Sequence, residues 1–176
     1  MGEVKYFKRL LITVAALFVV CTTLLPAAAI ADESPIVADS CTIITGKPGL
    51  DIVSPDVVKI TPPSVEISSS GGCSFSTRSI SALDVNRRVD SAIINLPAGE
   101  TGTVKKLSIT QIVDGNSKLL YGCSNLTVKN GTDLNVVCGG AAYLPEKSTL
   151  LYSADLTAFT PGIDFSVTLT ASKSSV

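Results

Sequence analysis

Ile163-Asp164-Phe165-Ser166-Val167-Thr168-Leu169-Thr170-Ala171 is the stretch whose reading decides the fold. Ile163, Phe165, Val167, Leu169 and Ala171 alternate with Asp164, Ser166, Thr168 and Thr170. Side chains of a strand point alternately to opposite faces, so this segment carries one apolar face and one wet face. That is the pattern of an antiparallel sheet packed on one side and solvated on the other.

Similar segments precede it. Thr149 to Phe159 is strand-like, and Val104 to Val113 is rich in β-branched residues. Asp114-Gly115-Asn116 is a turn signal and Lys118 to Tyr121 resumes the pattern, so 104–121 reads as a hairpin. Asn125 to Lys129, Asn130-Gly131 and Thr132 to Val137 read as a second hairpin, because Asn-Gly supplies the positive φ of a tight turn. Further upstream, Val57 to Ile60 ends at Pro62-Pro63, Val65-Glu66-Ile67 alternates, and Cys41 to Ile44 is a short apolar run. Residues 80–96 admit two readings. Ala82, Val85, Val89, Ala92 or Ile93, and Leu96 are spaced like a helical stripe ending before Pro97. The β-branched content favours two strands instead, Leu83 to Val85 and Ala92 to Leu96, around a solvated turn at Asn86-Arg87-Arg88. Together the segments predict an all-β fold: an antiparallel β-sandwich, immunoglobulin-like or jelly-roll-like, of about 7–9 strands.

The N-terminus reads as an export signal. Lys5, Lys8 and Arg9 precede an apolar run from Leu10 to Leu25, and Ala29-Ile30-Ala31 fits the small-x-small cleavage rule. The run is too short to span a bilayer comfortably, so the expectation is cleavage rather than anchoring. The chain then divides into a signal (1–31), an extended lead-in (32–56) and a sandwich domain (57–176). The whole chain has 176 residues, a net charge of −1 and 45% apolar residues, with a mean hydropathy of +0.43. Losing residues 1–31 removes three of the 14 Lys and Arg and one of the 15 Asp and Glu, leaving −3. No second long apolar run follows, so the mature form carries no membrane span.

Cysteine usage agrees with export. Cys21 leaves with the signal, and Cys41, Cys73, Cys123 and Cys138 remain. An even number in an oxidising compartment reads as two disulfides. A two-residue Asn130-Gly131 turn sets Cys123 opposite Cys138, within disulfide reach. The apolar residues of that hairpin ask for a register one residue away, which a β-bulge would reconcile. The expected pairs are Cys123–Cys138 and, by remainder, Cys41–Cys73.

The chain contains no His and no Trp. A Ser or Cys nucleophile lacks its usual base, and no imidazole is available to a metal. Asp84, Asp90, Glu100, Asp114, Glu146, Asp155 and Asp164 could supply a carboxylate pair, but they fall at turns or on wet faces. Lys59, Lys105 and Lys106 read as exposed strand lysines. Gly71-Gly72 and Gly139-Gly140 lack the features of a phosphate loop, and Asp114-Gly115-Asn116 lacks the other ligands of a calcium loop. No catalytic residue, cofactor or metal is expected. Phe75, Phe159 and Phe165 are core candidates, with the tyrosines half-buried and their hydroxyls wet. Asn125-Leu126-Thr127 and Asn130-Gly131-Thr132 match N-glycan acceptors at Asn125 and Asn130.

These observations predict a secreted or cell-surface protein (periplasmic is the alternative) that works as a non-catalytic interaction module. Its partner would be a protein or a surface glycan, not nucleic acid. One alternative is a subunit of an extracellular fibre or pilus that assembles by strand addition into homo-oligomers or filaments. Its anchors would be Ile36, Val37, Ile43 and Ile44 in the lead-in. The second alternative is a carbohydrate-binding module, and an enzyme comes last.

Overall fold

The computed structural model of the chain describes residues 37–39, 41–138 and 142–175. The export signal, Ile36 and the Gly139-Gly140 pair lie outside these residues. Twelve strands and one short helix follow in chain order: β1 (Val37–Asp39), β2 (Cys41–Ile43), β3 (Gly49–Ile52), β4 (Val57–Thr61), β5 (Val65–Ile67), β6 (Cys73–Ile80), β7 (Arg87–Asn95), β8 (Thr101–Val113), β9 (Asn116–Lys129), α1 (Leu134–Cys138), β10 (Tyr143–Leu144), β11 (Thr149–Thr157) and β12 (Asp164–Lys173). They form two antiparallel sheets, ordered β1-β6-β11-β8-β9 and β10-β7-β12-β4-β3, with β5 beside β12 and β2 beside β5. The fold is an all-β sandwich.

The alternation that opened the reading sets the core. Phe165, Val167, Leu169 and Ala171 of β12 are all buried, as are Leu150, Tyr152, Ala154 and Leu156 of β11. Both strands are central in their sheets, so each inner face meets the other across one apolar layer.

The strand count exceeds the expected range for two reasons. Pro62 and Pro63 are buried and have no N–H to give to a ladder, so they split one long strand into β4 and β5. Both halves run along the same side of β12, with Leu169 opposite Ile60 and Phe165 opposite Val65, a shift of one residue. The lead-in also contributes three strands. β1 pairs with β6 in the first sheet, whereas β2 and β3 border the second. The chain therefore changes sheets between Asp39 and Cys41.

Two local expectations are corrected. Residues 80–96 hold neither a helix nor two strands but the single strand β7, preceded by a loop. Eight of its nine residues, Arg87 and Arg88 among them, are paired with β12, and this tertiary pairing overrides the local turn signal. Arg87 is accordingly not on a solvated turn. It is 3% exposed and donates to the Asp56 carbonyl and the Asp84 carboxylate, each at 3.0 Å. The second hairpin is also absent. Asn125 to Lys129 simply continue β9 against β8. Beyond the turn at Asn130-Gly131, Asp133 accepts hydrogen bonds from the N–H groups of Asn135 and Val136 and caps α1. The first hairpin forms with Asp114 at φ 49° and Gly115 at φ 77°, the pair of positive φ values of a type I′ turn.

Candidate interaction site

Cys41 and Cys73 are bonded, as are Cys123 and Cys138, with Cα separations of 5.1 and 5.4 Å. The first bond fastens β2 to the start of β6. The second ties β9 to the end of α1, so Cys123 and Cys138 meet across a strand and a helix rather than across a hairpin. Disulfides persist in oxidising compartments outside the cytosol. No helix among the described residues is long and apolar enough to cross a membrane.

The groups weighed for chemistry are spread out, and many serve the scaffold. Glu100 accepts from the Thr160 hydroxyl at 2.6 Å, and Asp155 accepts from the Ser74 hydroxyl at 3.1 Å. Asp90 pairs with Arg88 at 3.6 Å. The hydrogen bond from Arg87 holds the Asp84 carboxyl below the ordinary aspartate value. Asp114 occupies the hairpin turn, while Glu146 and Asp164 are exposed, as are Lys59, Lys105 and Lys106. Among the described residues no three Cys, Asp or Glu side chains are grouped to hold a metal ion. Gly71 serves packing: at φ +72° its Cβ position lies 2.6 Å from the Phe159 carbonyl oxygen.

The aromatic residues are also placed differently from the expectation. Phe75, Phe159 and Phe165 are in the core, but Tyr121 and Tyr152 join them there, at 5% and 4% exposure. Burial pushes the Tyr121 phenol well above its usual value, and the nearby Asp133 charge adds to the shift. Tyr143 is the only exposed aromatic side chain among the described residues. A stacking platform for sugar rings needs more than that.

The lead-in residues are distributed by the ladder. Val37 lies in β1 opposite Ser76, and Ile43 in β2 opposite Val65. Ile44 donates its N–H to the Ser64 carbonyl and is half exposed. These residues are used within the chain's own sheets.

The same segment, however, leaves one corner of the sandwich open. Leu50 pairs with Ile60, and Ile52 with Val58. Directly paired residues share a face. Ile60 and Val58 are buried, so Leu50 and Ile52 point to the inner side of their sheet. Yet Leu50 is 39% and Ile52 76% exposed. The first sheet does not reach across them. β1 is paired with Ser74 to Ser76 of β6, and β6 runs beside β11 from Cys73 to Ile80. A groove of about 320 Å³ lies between β3 and β4 on one side and β6 and β11 on the other. Leu50 and Ile60 line one wall, Ser79, Leu150 and Tyr152 the other, and Lys47 stands at the rim.

A second, shallower depression of about 540 Å³ lies on the β8–β9 face beside α1, where Leu119 and Val137 are exposed next to Lys105 and Lys106.

Sequence reasoning passed over both strands that frame the groove. Gly49-Leu50-Asp51-Ile52 was absorbed into the lead-in. β6 shows no alternation because Thr77 and Ser79 point inward along with Cys73 and Phe75. Comparison with known proteins finds no matching family model, no similar curated protein and no similar solved structure.

Proposed function

We propose that this chain is a non-catalytic interaction module of the cell exterior, secreted or held at the cell surface. Its working surface is the open corner between β3 and β6. The observation that carries the reading is Ile52, an inner-face residue left 76% exposed where the opposite sheet stops short. An extended segment of a partner protein would add to the outer edge of β3, the last strand of its sheet among the described residues, and lay its apolar side chains against Leu50 and Ile52. Main-chain hydrogen bonds give such an addition affinity, and the pockets for alternate side chains give it specificity. We read the sandwich as immunoglobulin-like, because its first strand leaves one sheet for the other.

The fibre reading needs a donor other than the described lead-in, since Val37 and Ile43 are paired at home and Cys41 is disulfide-bonded. The carbohydrate reading has Tyr143 as its single exposed ring among the described residues.

The test uses the mature chain, residues 32–176, and eight-residue peptides of alternating Val and Thr. Binding should shift the amide resonances of residues 49–53 and slow hydrogen exchange there. Peptides that perturb other strands, or none, refute the proposal. Size-exclusion chromatography with light scattering runs alongside. A concentration-dependent ladder of oligomers would transfer the role of partner to a second copy.

A further inference from the structure

We infer that Asn125 and Asn130 carry N-linked glycans, which stand beside the unpaired edge of β9. The inference rests on export but not on the open corner.

Each asparagine has threonine two residues on, Thr127 and Thr132, with Leu126 and Gly131 rather than proline between. That pattern is what a glycan transferase reads, and it belongs on an accessible surface. Both asparagines are exposed. Neither carboxamide is hydrogen-bonded to a described residue, so neither is needed by the scaffold.

The backbone adds an observation the motif alone does not contain. Pairing of β8 with β9 passes from Lys106↔Ser124 to Val104↔Leu126 in unchanged register, leaving the facing Lys105 and Asn125 both out of the ladder. Asn125 sits there at φ 56°, a left-handed conformation that asparagine tolerates far better than most residues. Asn130 lies five residues on, in the turn closed by the Thr132 N–H on the Lys129 carbonyl at 3.0 Å. Both positions thus lie where the ladder is interrupted or ended.

The location has a physical use. β9 runs 14 residues and ends its sheet, so its outer N–H and C=O groups offer a template to other strands. Proteins protect such edges with bulges, charges or covers. β9 has Lys118 and Lys129 and a register shift beside Ile109. A glycan on Asn125 or Asn130 adds a hydrated cover over its second half.

The transfer needs a lipid pyrophosphate-linked oligosaccharide as donor. The asparagine Nδ2 forms a bond to the anomeric carbon, the bond from that carbon to the pyrophosphate oxygen breaks, and lipid pyrophosphate leaves. The amide proton passes to a base of the transferase.

The experiment is intact-mass and glycopeptide analysis of the protein isolated from its source organism. Two glycans are expected. Asn125→Gln and Thr127→Ala should each remove the same one, and Asn130→Gln should remove the other. Thr132→Ser, which retains the hydroxyl, should keep it. An unmodified asparagine at either position overturns the assignment for that position. A modification that survives Thr127→Ala overturns the sequon chemistry.

Discussion

Replacing Ile52 by lysine separates folding from binding at the open corner. Fully burying an aliphatic side chain stabilises by roughly 1.5–3 kcal/mol. Ile52 is 76% exposed, so the covered quarter contributes only about 0.5 kcal/mol to folding. Lysine keeps a methylene stem that can lie along the same surface with its charge in water. Ile52→Lys should therefore cost the fold about half a kcal/mol. A core residue behaves differently: Leu169 is 1% exposed, and Leu169→Ala should cost about 2–5 kcal/mol.

Binding draws on the other three quarters of the side chain. If a partner strand covers them, the contribution is about 1–2 kcal/mol, roughly 5- to 30-fold in Kd. Urea unfolding followed by circular dichroism measures the first quantity, and titration with the alternating peptide measures the second. A folding cost above about 1.5 kcal/mol would refute the reasoning, since it would mean that Ile52 is already covered within the protein. Unchanged folding with unchanged peptide affinity would place the contact elsewhere.

Gly102 has a similarly local test. A Cβ there would overlap the ring of Phe159, which packs edge-on against Phe165 with centroids 5.8 Å apart. Gly102→Ala should destabilise by about 1–3 kcal/mol, and Phe159→Leu should relieve part of that loss in a double-mutant cycle; strict additivity in urea melts would contradict the overlap. Removing the Cys123–Cys138 bond should speed amide exchange in α1 while β11 and β12 keep their protection, and equal loss across β12 would show that the bond holds the sheets. Tyr121 sets an alkaline limit. Its folded phenol stays protonated while the unfolded phenol ionises near pH 10, so above about pH 10 the native state binds more protons and stability falls. Tyr121→Phe should flatten that limb of the stability–pH curve, and an unchanged slope would rule the residue out as its cause.

What the sequence discloses follows from which forces are local. β12 is legible because its burial alternates with every residue and apolar side chains, Phe165, Val167, Leu169 and Ala171, fill the inner face. The type I′ turn is legible because Asp114-Gly115 meets a backbone requirement that few pairs can meet. β6 is not, since Thr77 and Ser79 occupy an inner face whose apolar character comes from the strands opposite. β7 is masked by Arg87: a charged residue reads as exposed, yet here it is held by the Asp56 carbonyl and the Asp84 carboxylate. The Cys123–Cys138 pair is expected from the register of a hairpin that does not form, and the helix that brings Cys138 to Cys123 instead is not legible. Its one signal is Asp133 as an N-cap, and a five-residue helix is too short to show periodicity.

The open corner was illegible for a deeper reason. Leu50 and Ile52 look like any pair of alternating apolar residues, and only the extent of the opposite sheet makes them exposed. Their meaning comes from comparing edges. β9 is long, but lysines, a register shift and the displaced Asn125 interrupt its ladder. β7 is covered at its outer side by the two-residue β10, too short to template much. β3 has Asp51 as its only charge and presents Leu50 and Ile52 with Val53, itself 57% exposed, immediately after. A chain that guards one long edge with several devices and leaves a short apolar one bare has not failed at protection. The asymmetry is what a docking site requires, because the edge that must accept a strand is the one that cannot be blunted against strands.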